Sequence, residues 1–184
     1  HSHGDAGRYL GSGVTITRDP ETGIRNESIL RVQLTDDPHK APFWMAARHN
    51  YQHYLKYVKM NEPMPMAFAI GLHPVYEIMS NWSGIHKDFD ELEYAAGVLG
   101  EEIEMVKCET IDLEVPAHAE IIIEGTVHPT ERMMEGPFGE FTNFGFGAEG
   151  PAPVFTCSAI THRKDPIFRH MQATWFTDHQ PLIT

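Results

Sequence analysis

The sequence predicts an α+β domain built on a strongly curved antiparallel sheet or a barrel. Several short segments alternate apolar and polar residues or are rich in β-branched residues, and turn residues separate them. Two longer stretches carry apolar residues at helical spacing. Many short strands with few helices are typical of this class, although periodicity alone does not distinguish a curved sheet from a barrel.

The predicted strands are short and are bounded by turn residues. Residues 28–34 alternate, which places Arg31 on the face opposite Leu30 and Val32. The run Ile121-Ile122-Ile123 predicts a central strand, because both of its faces are apolar. The full set of predicted strands comprises residues 14–17, 28–34, 66–70, 105–107, 120–127 and 153–162.

Two helices are predicted between these strands. The first runs from Trp44 to Met60, where aromatic and aliphatic residues recur at mostly helical spacing. The second begins near Asp88, which forms a capping pair with Glu91, and ends at Gly100. Its acidic residues are typical of a solvated helix face, from which a single glutamate would have to turn inward to act as a ligand.

The composition argues against several classes of partner. Fourteen basic and 26 acidic side chains leave a formal charge of −12, which repels phosphate backbones and anionic lipid. The sequence therefore predicts neither a nucleic-acid nor a membrane partner. It contains no apolar run near the roughly 20 residues that span a bilayer. The chain has only two cysteines, Cys108 and Cys157. This number favours the interpretation that both are reduced thiols of a cytoplasmic protein, and a single disulfide is the alternative.

The segment from Glu135 to Glu140 is the richest candidate for chemistry. It places two carboxylates across a loop with two glycines and a proline, which can hold both acids toward one point. Close carboxylates in a partly desolvated site raise one pKa, which suits proton delivery. On this motif alone, a surface turn with two solvated acids is the alternative.

Arg31 is the expected partner of these acids. If the strand face that carries it is interior, its guanidinium needs a carboxylate, which Glu135 or Glu140 would supply. A purely structural ion pair and an exposed arginine on an edge strand are the alternatives.

His49 and His53 lie four residues apart on the first predicted helix, a spacing that can place two imidazoles on one metal ion. The chain holds 12 histidines, so such pairs also arise by chance. The sequence has no phosphate-binding glycine loop followed by lysine, no nucleophile elbow and no cysteine-rich zinc site.

Nine short segments occur in a characteristic order along nearly the whole chain. They are residues 7–9, 15–20, 26–31, 63–71, 106–110, 112–117, 123–125, 135–140 and 159–163. Each segment is weak evidence alone, but their order leaves little room for coincidence. Together they resemble the UbiD family of prenyl-FMN-dependent decarboxylases.

The resemblance implies that this region is the central cofactor domain of the family, a split β-barrel of the flavin-reductase-like type with a few flanking helices. Residues 1–170 would form this prenyl-FMN and metal-binding domain, and residues 171–184 would begin a linker toward a C-terminal domain. The chain starts at His1 without a methionine and stops in a polar, proline-containing stretch. We therefore expect a segment of a longer protein, which forms a homo-oligomer through that C-terminal domain.

The resemblance also implies a metal and cofactor site. Asn26, His49 and Glu91 would bind a Mn2+-like ion that ties the cofactor phosphate to the protein, and an amide, an imidazole and a carboxylate suit that ion. A monovalent cation such as K+ is expected nearby. The residues implied to bind the cofactor are Asn26, Ser28, Ile29, Arg31, Arg48, His49 and Glu91.

Arg31, Glu135 and Glu140 resemble the Glu–Arg–Glu catalytic network of the family. The implied activity is reversible, non-oxidative decarboxylation of an aromatic or α,β-unsaturated acid, with prenylated FMN made by a flavin prenyltransferase. Glu140 would return a proton to the vacated carbon. Arg31 would hold the substrate carboxylate or keep the glutamates in the right ionisation state.

Three other functions remain open at this point. A flavin-binding module without this chemistry would not need Arg31, Glu135 and Glu140. A metal-dependent hydrolase would show zinc activity without any flavin. A non-catalytic subunit of a multi-chain carboxylase is the third alternative.

Overall fold

The computed structural model describes residues 4–82, 90–139 and 149–170, which contain ten strands and three helices. The strands are β1 (Tyr9–Leu10), β2 (Val14–Arg18), β3 (Arg25–Ile29), β4 (Val32–Gln33), β5 (Lys40–Pro42), β6 (Met64–Ile70), β7 (Met105–Lys107), β8 (Glu114–Pro116), β9 (Ile121–Glu135) and β10 (Gly150–His162). The helices are α1 (His49–Met60), α2 (Pro74–Ser80) and α3 (Glu91–Leu99).

Six of the strands form one antiparallel sheet in the order β3-β2-β6-β9-β10-β5. β9 lies between β6 and β10, which confirms the central strand predicted from Ile121-Ile122-Ile123. Among the described strands no pairing joins the edges β3 and β5, so the structure shows an open sheet and no closed barrel. The predicted large antiparallel sheet with few helices is confirmed, and the split barrel stays a prediction.

Apolar side chains cover both faces of this sheet. On one face, Tyr54 of α1 packs with Met66 and Phe68 of β6. On the other face, Tyr76 of α2 packs against a cluster that contains Ala67. Because successive residues of a strand point to opposite faces, α1 and α2 lie on opposite sides of the sheet.

The β9–β10 hairpin is longer than predicted. β9 continues to Glu135, whereas the sequence pattern ends this strand at Val127, and β10 also begins earlier than predicted. Two register shifts let the pairing of the hairpin continue along its length. Gly125 permits the close approach of the two strands, because a Cβ there would lie 2.0 Å from the Thr156 carbonyl oxygen. The extension of β9 carries Glu135 to the site described below.

The strand predicted over residues 28–34 is divided in the structure. β3 ends at Ile29 and β4 begins at Val32, with Leu30 and Arg31 between them. β3 pairs with β2, whereas β4 pairs with β1 and bridges to Phe43. The prediction of one strand was wrong, because alternation of residues does not reveal a change of pairing partner. The break leaves Arg31 outside both ladders.

Both predicted helices are present, and each is shorter than predicted. α1 begins at His49 and not at Trp44, because Arg48 is still extended, with φ −118° and ψ −164°. α3 is capped by Asp90, whose carboxylate accepts a backbone N–H of the first turn. The predicted cap Asp88 lies outside the described residues. None of the helices in the described ranges is long and apolar enough to cross a membrane.

Candidate functional site

Arg31 and Glu135 form a partly buried bidentate ion pair at the end of β9. Arg31 Nε donates to Glu135 Oε1 at 2.9 Å, and Nη2 donates to Oε2 at 3.0 Å. The Glu135 side chain is 0% exposed and that of Arg31 is 13% exposed. Two parallel N–H···O bonds fix the relative orientation of the side chains. The predicted pairing of Arg31 with an acid is confirmed for Glu135.

Two aromatic rings flank the guanidinium of Arg31. Its Cζ lies 4.7 Å from the ring centroid of Phe138 and 5.7 Å from that of Trp44. Tyr9 packs edge-on against Phe138, with 4.6 Å between the ring centroids. A cation beside ring faces is attracted by the ring quadrupole. The rings and Glu135 together hold the guanidinium in place, and the sequence pattern does not predict this role for the rings.

Hydrogen bonds with side chains from the first part of the chain, Asp5 and Gln33, hold the loop that follows β9. Gln33 Oε1 accepts bonds from the N–H of Gly136 at 2.9 Å and from the Tyr9 hydroxyl at 3.3 Å. Asp5 Oδ1 accepts the N–H of Gly139 at 2.7 Å. Burial, with a smaller contribution from the nearby Glu135 carboxylate, raises the pKa of Tyr9 to about 12, so its hydroxyl stays a donor at neutral pH. The loop is therefore tied to β1 and β4.

Asn26, His49 and Glu91 lie on three different elements, β3, α1 and α3. His49 Nδ1 lies 3.1 Å from Asn26 Oδ1. Glu91 Oε2 accepts the backbone N–H of Glu27 at 2.8 Å. Burial raises the pKa of Glu91, although hydrogen bonds with Glu27 and the nearby His49 oppose this shift. The fold thus brings the predicted metal ligands to neighbouring positions along β3, and Glu91 is the acid of α3 that turns inward.

The donor set of these residues fits a hard divalent ion. Adjacent ligands at about 2.1 Å from one octahedral ion lie about 3 Å apart. The separation of His49 Nδ1 and Asn26 Oδ1 is 3.1 Å. Within the described ranges, no three His, Cys, Asp or Glu side chains form a group that could hold a metal, so this candidate depends on the amide oxygen of Asn26.

A hydrogen-bond network orients the amide of Asn26. Its Nδ2 donates to Asn50 Oδ1 at 2.6 Å, and Thr17 Oγ1 donates to the same oxygen at 2.7 Å. Asn50 Nδ2 in turn donates to Ser28 Oγ. Because the amide nitrogen of Asn26 is bound by Asn50, its oxygen faces His49. Sequence reasoning missed Asn50 and Thr17, since the contacts of Asn50 with Asn26 and with Thr17 depend on the packing of α1 over β2 and β3.

For the other predicted site residues, the structure gives position and exposure only, or nothing. Arg48 is exposed and directly precedes His49, and Ile29 is half-buried at the end of β3. Glu140 lies outside the described residues, so its predicted role stays a prediction. The described loop ends at Gly139, immediately before it.

His53, the competing metal ligand, contacts other groups in the structure. Its Nδ1 lies 3.0 Å from Thr17 Oγ1, and its Nε2 lies 3.8 Å from Asp19 Oδ2. The side chain is 9% exposed, and burial lowers its pKa to about 4. A buried, neutral imidazole bound to a hydroxyl is a structural group, so the geometry favours His49 as the ligand.

The buried His53 predicts that acid destabilises the protein. Its folded-state pKa of about 4 lies below the value of 6.5 that an exposed histidine has. The unfolded chain therefore binds this proton more readily, and stability is lost as the pH falls from about 6.5 to 4. The expected loss between pH 7 and pH 4 is about 3 kcal/mol. Urea unfolding of the protein and of His53→Gln, which cannot titrate, measures it; equal losses would contradict the prediction.

Comparison with known proteins shows which sequences and solved structures this chain resembles. An evolved dimeric form of the UbiD-class enzyme HmfF from Pelotomaculum thermopropionicum, in complex with prFMN, has a TM-score of 0.87 and 42% identity over 91% of this chain and 39% of that chain. The closed form of vanillic acid decarboxylase from Sedimentibacter hydroxybenzoicus has a TM-score of 0.84 and 29% identity over 91% of this chain and 36% of that chain. A protein of Aquifex aeolicus is 38% identical over 165 residues, which are 89% of this chain and 34% of that protein.

These matches cover most of this chain but only part of each relative. It spans about one third of the length of the curated relatives it matches. The family model of the 3-octaprenyl-4-hydroxybenzoate carboxy-lyase Rift-related domain matches residues 1–174. The resemblance inferred from nine short segments is thereby confirmed over nearly the whole chain, and the chain belongs to the UbiD family.

Proposed function

We propose that the protein is a prenyl-FMN-dependent carboxy-lyase that reversibly removes CO2 from an aromatic or α,β-unsaturated acid. Family membership supports a decarboxylase or carboxylase, and the similar HmfF structure contains prFMN. The observation that carries the proposal is the bidentate pairing of Arg31 with the buried Glu135. Binding of a flavin alone does not require such a pair, which suits the handling of a carboxylate substrate.

Arg31 is proposed to bind the substrate carboxylate. Its guanidinium is planar and always protonated, which suits hydrogen bonding to a carboxylate oxygen of the substrate. The flanking rings of Phe138 and Trp44 offer apolar surface for an unsaturated or aromatic substrate. When the bond to the carboxylate carbon breaks, CO2 leaves and the electron pair stays on the substrate carbon.

The vacated carbon must then receive a proton, and we assign its delivery to Glu140. Both oxygens of Glu135 accept hydrogen bonds from Arg31, so Glu135 is suited to hold the guanidinium and not to donate a proton. Glu140 follows directly after Gly139, whose N–H is fixed by Asp5. A carboxyl group at this place would act as the general acid, and in the reverse reaction as the base.

Asn26, His49 and Glu91 are proposed to hold Mn2+ or a similar ion, and through it the cofactor phosphate. The exposed guanidinium of Arg48 beside His49 is proposed to contact the same phosphate. Prenylated FMN supplies an electron-accepting centre for the carbon that loses CO2. The other proposed contacts of the cofactor are Ser28, Ile29 and Arg31, and K+ is a proposed further ion.

The remaining proposals concern the whole protein. Residues 1–170 are proposed to complete a flavin-reductase-like split barrel, with residues 171–184 leading toward a C-terminal oligomerisation domain. The similar HmfF structure is an evolved dimeric form of that enzyme. The protein is proposed to be cytoplasmic, with a flavin prenyltransferase as the source of its cofactor.

The test is the absorbance spectrum and cofactor mass of the full-length protein, produced with Mn2+ and with or without a flavin prenyltransferase. We expect bound prenylated FMN only with the transferase, and CO2 release from at least one acid in a panel of benzoates, phenylacrylates and heteroaromatic acids. A bound flavin without CO2 release would favour the flavin-binding module. Absence of any flavin would contradict the proposal and favour a hydrolase or a non-catalytic subunit.

A further inference from the structure

The four residues that follow β9, residues 136–139, are each held by the first part of the chain. The Pro137 carbonyl oxygen accepts the backbone N–H of Ala6 at 2.7 Å and lies 3.3 Å from the Tyr9 hydroxyl. The Tyr9 ring packs edge-on against Phe138. The two glycines of this segment donate the backbone hydrogen bonds described above. Contacts with residues distant in sequence therefore fix the whole segment.

The pairing of β1 with β4 sets the beginning of this segment. Tyr9 lies directly opposite Gln33 in the antiparallel ladder, so their side chains point to the same face. Gln33 Oε1 lies 3.3 Å from the Tyr9 hydroxyl and also accepts the N–H of Gly136. Gln33 and Gly136 are close in sequence to Arg31 and Glu135, so this contact places the beginning of the segment beside the Arg31–Glu135 pair.

Asp5 holds the other end of the segment. Its Oδ1 accepts the backbone N–H of Gly139 at 2.7 Å. A carboxylate that accepts a backbone N–H forms a stronger bond than a neutral acceptor does. Gly139 is the last residue before Glu140, to which the proposed function assigns proton delivery. A fixed Gly139 peptide restricts the region that the carboxyl group of the next residue can reach, because the two residues are covalently joined.

We propose that Asp5 is a positioning residue for the proton-transfer step, which acts on Glu140 through the Gly139 peptide. The inference rests on the proposed function, in which Glu140 is the general acid. The two ends of the segment then serve different steps of the reaction. Its beginning lies beside Arg31, which binds the substrate carboxylate, whereas its end is set by Asp5 and leads into the proton donor.

The two steps can be separated by measurement. The bond to the carboxylate carbon breaks first, CO2 leaves, and the electron pair stays on the substrate carbon. The proton of Glu140 then moves to that carbon, and solvent reprotonates the resulting carboxylate. Loss of the Asp5 side chain is expected to slow the second step and to spare the first. The first turnover then still releases CO2, while each later turnover waits for proton delivery.

The experiment compares CO2 release in the first turnover with the steady-state rate, using the cofactor-loaded, full-length protein and an acid that the panel identifies. For Asp5→Ala we expect first-turnover release at the parent rate and a steady-state rate about 10- to 100-fold lower, since a misplaced catalytic group costs about this much. Asp5→Asn keeps an oxygen that can accept the Gly139 N–H, so its steady-state rate is expected to lie within a few fold of the parent.

The matched control is Asp37→Ala. Asp37 is exposed between β4 and β5, and its Oδ1 likewise accepts a backbone N–H, that of His39 at 2.9 Å. Removal of this bond is expected to leave both rates unchanged. Flavin content and circular dichroism show that each variant is folded and loaded. Amide hydrogen exchange of the parent protein needs no variant, and the Gly139 N–H is expected to exchange slowly, as a hydrogen-bonded amide does.

The outcomes separate this inference from the proposed function. An Asp5→Ala protein with the parent steady-state rate overturns the inference alone. So does one whose first-turnover release falls as far as its steady-state rate, because Asp5 then supports the structure and not the proton transfer. Exchange of the Gly139 amide at the rate of a free amide also overturns it. A parent protein that releases no CO2 from any acid overturns the proposed function and this inference together.

Discussion

Arg31→Lys is expected to lower the rate of CO2 release by about 10²- to 10⁴-fold. Lysine keeps the positive charge but cannot donate two parallel bonds to both oxygens of Glu135. The ammonium group would also lack the planar shape that lies beside Phe138 and Trp44. The measurement is single-turnover CO2 release by the cofactor-loaded protein, with an acid that the panel identifies.

The matched control for this prediction is Arg163→Lys. Arg163 pairs with Glu120 at 3.4 Å, but its side chain is 51% exposed, so the same substitution there is expected to leave the rate unchanged. Flavin content and thermal unfolding of both variants show whether a loss of rate reflects misfolding. A folded, flavin-loaded Arg31→Lys protein with the parent rate would remove Arg31 from the proposed mechanism.

His49→Ala is expected to weaken binding of Mn2+ at its proposed site by about 100-fold or more, because loss of even a supporting group around a metal costs 10- to 100-fold. The substitution removes the imidazole that lies 3.1 Å from Asn26 Oδ1. Isothermal titration of the flavin-free protein with Mn2+ measures the change. Flavin retention is expected to fall with it, since the ion is proposed to hold the cofactor phosphate.

Two histidine variants serve as comparisons for His49→Ala. His53→Gln is expected to leave the Mn2+ affinity within a few fold of the parent, because the His53 imidazole contacts Thr17. His118→Ala replaces a 71% exposed side chain and controls for nonspecific binding by surface histidines. If His53→Gln lost the ion and His49→Ala kept it, the competing ligand assignment would be the right one.

Much of the fold was predictable from local pattern. Alternation, apolar runs and turn residues indicated an antiparallel sheet, and the apolar Ile121-Ile122-Ile123 run indicated its central strand. The division of residues 28–34 was not predictable, because β4 is held by β1 and by Phe43, whose positions depend on the rest of the fold. The same limit applies to α2, which is too short to show a helical period.

The candidate site was likewise predictable from the sequence only in part. The need of an interior Arg31 for a carboxylate, and the family resemblance, predicted its pairing with an acid distant in sequence. The bidentate geometry and the flanking rings of Phe138 and Trp44 were not accessible from sequence, because they depend on where β9 ends.

By itself, the sequence determined the fold class, the family and the inventory of chemical groups, since these follow from residue types and their spacing. Only the tertiary structure decided which groups meet. It showed that Asn50 and Thr17 orient Asn26, and that Glu27 is buried without a donor in the described part of the chain. The physical reason is that local pattern acts over a few neighbouring residues, whereas the burial and partners of a side chain are set by elements far apart in the chain.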